Sequence, residues 1–105
     1  MSTPSVGAIT PTEFVARQQA GANLFLLDVR EPAEVAASSV GSAVHIPMGD
    51  VPARLAELPR DREVVVMCLA GGRSLRVANF LASQGFQPVT NLTGGITAWA
   101  AEIGL

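Results

Sequence analysis

Two segments of the chain are apolar almost without a break: residues 24–29, Leu-Phe-Leu-Leu-Asp-Val, and residues 63–68, Glu-Val-Val-Val-Met-Cys. A strand with one wet face alternates polar and apolar residues. A short run that does not alternate belongs to a strand buried on both faces, the condition of strands in a parallel sheet covered by helices. The segments between these runs carry helical signals, and strands alternating with helices through short loops imply a parallel α/β sheet with helices on both sides.

Those helical signals are specific. Thr10-Pro11-Thr12-Glu13 reads as a helix start, with Thr10 as cap, Pro11 in the first turn and Glu13 completing a capping box. Phe14, Val15 and Gln18 then share one side, and Gly21 supplies the stop. A short helix is expected over 32–36 from Pro32, a loop over 37–42, and a short strand over 43–46 closed by Pro47. Val51, Leu55 and Leu58 have helical spacing up to Pro59, and 59–62 is a turn. Residues 74–84 form a helix with Val77, Ala78 and Leu81 on its apolar face and Arg76, Asn79 and Ser83 on the other. Gly85 closes it, 88–91 is a last short strand, and Gly94-Gly95 opens a final helix carrying Ile96, Trp99 and Ile103 into the core.

The second apolar run ends on Cys68, the only cysteine, followed by Leu69-Ala70-Gly71-Gly72-Arg73-Ser74. Sites in open parallel sheets form beyond the carboxyl ends of the strands. Here the loop leads straight into a helix start near Ser74, where backbone N–H groups lack helical partners and the helix dipole is positive. Gly71 and Gly72 permit the positive φ that a loop curling back on the sulfur requires. A free thiol has a pKa of about 8.5, and lowering it by ~2 units takes about 2.7 kcal/mol of preferential stabilisation of the anion. A helix start with several N–H contacts supplies that without a histidine base. Arg73 can hold an oxyanion through its planar fork. The competing reading is a small buried hydrophobe, a common fate of a free cysteine. The glycine pair, the arginine and the helix start that follow favour a reactive thiol.

Composition closes off other classes. At 105 residues the chain fits one domain, and with 49% hydrophobic and 15% charged residues it has material for a core. A net charge of −2 argues against a nucleic-acid surface. The first eight residues lack the basic and apolar regions of a secretory leader, and the apolar runs fall far short of the roughly 20 residues that span a bilayer. A single thiol suits a reducing compartment, so no membrane association and a cytoplasmic location are expected. One cysteine and one histidine make no zinc site.

The ordered motifs resemble those of a single-domain rhodanese, a sulfurtransferase, over nearly the whole length from Ile9 to Trp99. "LLDVREPAE" at 26–34, "SSVGSAVHIP" at 38–47, "CLAGGRS" at 68–74 and "GFQPVTNLTGGITAW" at 85–99 are similar to successive landmarks of that family. In the second, Ser38-Ser39 stand where Gly-His is usual and Gly41 where proline is common. The resemblance implies a three-layer rhodanese-like fold, a mostly parallel sheet of about five strands flanked by helices. It also implies a mechanism. Cys68 takes the outer sulfur of a donor such as thiosulfate, and the persulfide is cradled by the amides of residues 69–73. A thiol, a protein acceptor or cyanide then removes the sulfur, without metal or organic cofactor. Leu69, Ala70, Gly71, Gly72, Arg73 and Ser74 would form the substrate loop, with Arg73 orienting the donor's sulfonate or holding the loop.

Asp28 and Arg30 end the first apolar strand on the side of Cys68. Asp28 either pairs with a nearby arginine and fixes loop shape, or is an ordinary strand-end charge. Glu34 reads as a solvent-facing helix residue, His45 as structural, Arg76 as solvated, and Gly94-Gly95 as allowing the last helix to approach the cysteine loop. Two rivals stand beside the sulfurtransferase. A phosphatase or arsenate reductase would need its arginine six positions after the cysteine, whereas Arg73 is at five. A binding or sulfur-carrier module would use apolar Leu69 and Ala70 to meet a protein.

Overall fold

The computed structural model describes residues 5–105, so the first four residues read above for a leader signal lie outside the described residues. The elements in order are β1 (Gly7–Ile9), α1 (Pro11–Gln19), β2 (Phe25–Asp28), α2 (Pro32–Ala37), β3 (Val44–His45), two 3₁₀ segments (Met48–Asp50 and Pro52–Glu57), β4 (Val64–Met67), α3 (Gly72–Ser83), β5 (Val89–Leu92) and α4 (Gly95–Glu102). The five strands form one sheet in the order β1-β5-β4-β2-β3, and all four pairings are parallel.

The alternation of side chains along β4 divides the core. Val64, Val66 and Cys68 point to one face, where Leu27, Val29, Val77, Ala78, Leu81 and Phe86 enclose them. Val65 and Met67 point to the other, where Phe14, Leu26, Leu92, Ile96 and Trp99 meet them. Helices α1 and α4 cover the second face, with the Phe14 and Trp99 rings 5.5 Å apart. Both apolar runs are therefore covered on both sides, as a sheet of this kind requires.

The α1 cap forms as read. The Glu13 amide donates to Thr10 Oγ1 at 3.1 Å and the Thr10 amide to Glu13 Oε1 at 2.9 Å. Four details differ. Strand β1 was not foreseen. The 51–58 spacing is realised as 3₁₀ turns, with a kink at Arg54, where φ is −119°, interrupting helical geometry. Helix α3 begins at Gly72, two residues early. Ile103 lies past the end of α4 and is 43% exposed, so Ile96 and Trp99 alone carry that helix into the core. No helix among the described residues is long and apolar enough to cross a membrane.

Candidate functional site

Strand β4 is the central strand, and Cys68 follows its last residue at the carboxyl edge of the sheet. The thiol is neither on the surface nor sealed among apolar groups alone. The residue is 1% exposed and packs with the α3-side core, yet the Gly71 amide donates to Sγ at 3.1 Å. The loop turns back because Gly71 adopts φ +112° as the residue before α3. Gly72 does not share this role: its φ is not positive, and it is the first residue of the helix.

Burial pushes the Cys68 thiol up, but hydrogen bonding from the Ser74 side chain and the amides of Ser74, Gly71 and Ala70 outweighs it, leaving the thiol below its ordinary value. The set is narrower than the amides of 69–73 and extends one residue further, to Ser74. The Ser74 hydroxyl has a single proton for two acceptors, Cys68 Sγ and Asn91 Oδ1, the latter 2.5 Å away; whenever it is given to Asn91, the amides alone hold the sulfur. Asn91 Nδ2 in turn donates to the Gly71 carbonyl at 3.3 Å. Strand β5 thus props the loop through Asn91, a residue that sequence reading did not single out. The alkylation rate of Cys68 should reach half its maximum below the pH of free cysteine. Ser74→Ala should raise that midpoint toward about 8.5, as read by iodoacetamide labelling against pH.

The base of the loop is held by α4. The Ile96 amide donates to the Cys68 carbonyl at 2.9 Å and the Thr97 amide to the Leu69 carbonyl at 3.1 Å. Gly95, at φ +57°, makes this approach possible, since a Cβ there would overlap both carbonyl oxygens. The close approach expected of Gly94-Gly95 is what the structure shows, with Gly95 as the contact.

Asp28 and Arg30 pair with each other, both almost wholly buried. Arg30 Nη2 donates to Asp28 Oδ2 at 2.8 Å and Arg30 Nε to Asp28 Oδ1 at 3.1 Å. Arg30 also donates to the carbonyls of Glu34 at 3.3 Å and Ser38 at 2.8 Å, while its own carbonyl lies 2.7 Å from His45 Nε2. A carbonyl only accepts, so that bond places a proton on Nε2. This cluster ties β2, α2 and β3 together at the site's edge, and His45 has the structural role expected of it.

The reading of Glu34 is overturned. It faces the loop, and its carboxylate takes both ends of the Arg73 fork: Arg73 Nη1 donates to Oε1 at 2.6 Å and Nη2 to Oε2 at 2.9 Å. Helix α2 orients it, since the Glu31 amide also donates to Glu34 Oε1 at 3.0 Å. Arg73 is the main reason the Glu34 carboxyl falls from 4.5 to about 2, with the Glu31 amide adding to it. The pair's contribution is complete above pH 4.5 and is lost as pH falls toward 2. In return Glu34 raises the Arg73 guanidinium, opposed by desolvation, with a smaller contribution from the Cys68 charge. Arg73 is therefore engaged rather than presenting a free fork. Leu69 and Ala70 are exposed on the loop, and Arg76 is exposed on α3 as read.

A cleft of about 710 Å³ opens at the amino ends of the strands, between Gly7, Glu63, Phe86, Pro88 and Thr90, far from the sulfur in the fold. Among the described residues no group of three or more His, Cys, Asp or Glu could hold a metal ion.

Comparison with known proteins gives this geometry a context. The chain is 45% identical over 84 residues to a putative sulfurtransferase of Bacillus subtilis, covering 80% of this chain and 81% of that one. It is 44% identical over 78 residues to a sulfurtransferase of Allochromatium vinosum, covering 74% and 73%. A rhodanese-related protein of Thermoplasma volcanium superposes with a TM-score of 0.84 at 28% identity, covering 94% of this chain and 95% of that one. The model of the rhodanese-like domain matches residues 10–102, which takes in the cysteine loop, the Asp28–Arg30 cluster and the α4 clamp. The chain belongs to the rhodanese-like domain family.

Proposed function

We propose that the protein is a sulfurtransferase that moves a sulfane sulfur through a persulfide on Cys68. The observation that carries this reading is the Gly71 amide directed at Sγ from the start of α3, 3.1 Å away. It favours the thiolate, the form that attacks a donor's outer sulfur. The Cys68 thiolate attacks the outer sulfur of a donor such as thiosulfate. A new S–S bond forms, the donor's S–S bond breaks, and sulfite leaves with the electron pair. A thiolate or cyanide then attacks the outer sulfur of the persulfide and regenerates Cys68, a two-step covalent cycle. The loop from Leu69 to Ser74 encloses the reacting sulfur, with Asp28 and Arg30 as its support. No metal or organic cofactor enters these steps, and a single thiol suits a reducing cytoplasm.

Leu69, 48% exposed beside the sulfur, favours a second reading of the same chemistry, in which the acceptor is a protein thiol and the molecule acts as a sulfur carrier.

Intact mass after prolonged incubation with excess thiosulfate tests the proposal. The protein should gain one sulfur atom, lose it to cyanide, and gain none as Cys68→Ser. A wild-type mass that does not change, or a variant that gains sulfur equally, would sink it.

A further inference from the structure

The ion pair across the loop has a consequence for donor choice. Arg73 is the cation of the cysteine loop, and Glu34 holds it through both fork ends at 2.6 and 2.9 Å. Both side chains are 30% exposed, so the pair sits at the rim rather than inside the core. The other arginine at this edge, Arg30, is buried and faces Asp28. Glu31 is exposed on the same side and adds a negative charge that Arg73 feels. The exposed large hydrophobic side chains of the loop and of the first turn of α3 are Leu69, at 48%, and Leu75, at 44%, while the exposed Arg76 beyond them lies beside Met48, Val51 and Pro52. A small dianion approaching Cys68 therefore meets a neutralised guanidinium and an apolar rim. It gains little Coulomb attraction and is desolvated without a partner.

Taking the sulfur-transfer reading as its basis, we propose that Glu34 is a specificity-determining residue. By occupying Arg73 it turns the Cys68 loop away from the thiosulfate dianion and toward sulfane donors with an apolar group and at most one negative charge. It acts through Arg73 and is a positioning residue. The chemistry is that of a thiosulfonate: the thiolate of Cys68 bonds to the outer sulfur of R–SO₂–S⁻, the S–S bond breaks, and a sulfinate leaves with the electron pair. One thiolate and one thiosulfonate give one persulfide anion and one sulfinate, so charge balances without a proton or an oxidant.

Benzenethiosulfonate and thiosulfate share the bond that breaks and differ in one charge and one ring. Wild-type kcat/KM should be at least about tenfold higher for benzenethiosulfonate, the scale of one partly exposed charge interaction. Glu34→Gln keeps an acceptor for the Glu31 amide but removes the charge that holds Arg73. It should raise kcat/KM for thiosulfate about tenfold and leave that for benzenethiosulfonate within about twofold. The gain should vanish when Arg73→Gln is added. A wild-type ratio of one or less overturns the proposal without needing any variant. So does a Glu34→Gln variant that changes both donors equally or neither, or a gain that survives loss of Arg73. If neither donor places sulfur on Cys68, it is the transfer reading itself that fails.

Discussion

Gly95→Ala is expected to lower stability by about 3–5 kcal/mol and to slow sulfur loading on Cys68 severely. Two costs coincide at this residue. Its φ of +57° is left-handed backbone, and an added methyl would overlap the carbonyl oxygens of Cys68 and Leu69. Neither oxygen can retreat freely, because each accepts an amide hydrogen from α4. Relief requires α4 to lift from the loop, which breaks those bonds and disturbs the packing of Ile96 and Trp99. In a domain of this size such a loss shifts Tm by roughly 10–30 °C. Thermal unfolding followed by circular dichroism reads it directly. Gly72→Ala is the control: no atom lies within 4 Å of the added Cβ and the backbone is not left-handed, so Tm should hold. A Gly95→Ala protein as stable as Gly72→Ala would show that the α4 contact is slack.

The second large effect is expected at Arg30→Met, at about 3–5 kcal/mol, the usual cost of removing one partner of a buried pair. Methionine fills much of the volume but leaves Asp28, 1% exposed, without its guanidinium. The carbonyls of Glu34 and Ser38 lose donors in the same step. The double variant Arg30→Met with Asp28→Leu should recover a good part of the loss, because no uncompensated charge then remains. Urea unfolding of the two proteins measures the difference. Equal midpoints would mean that the two backbone carbonyls, rather than the ion pair, set the cost.

What was legible in the sequence divides along physical lines. β2, β4, α1, α3 and α4 were read because each carries a dense local signal: an unbroken apolar run, a capping box, or an apolar stripe ended by glycine. β1 was missed because Gly7-Ala8-Ile9 has one buried residue and forms a strand only by adding to the edge of β5. Its signal lies in Thr90, Asn91 and Leu92, more than 80 positions away. The cysteine loop was set between a buried strand and a helix start because its parts are contiguous, and β4 and α3 flank it in that order. Glu34 was misread for the opposite reason. Its partner Arg73 is 39 residues distant, and α2, which buries no residue, gives no hint of which face looks inward. Asn91 escaped notice similarly, since Thr90 and Asn91 are adjacent polar residues in a four-residue strand and no periodicity marks either.

The contacts between α4 and the cysteine loop run through main chain on both sides, and the bond to the sulfur is donated by the main chain of Gly71. Side chains at 69, 70 and 75 take no part in that scaffold and point outward. The nucleophile and its recognition surface can thus be altered separately: repainting those three positions would redirect which molecules dock, while the sulfur kept its setting.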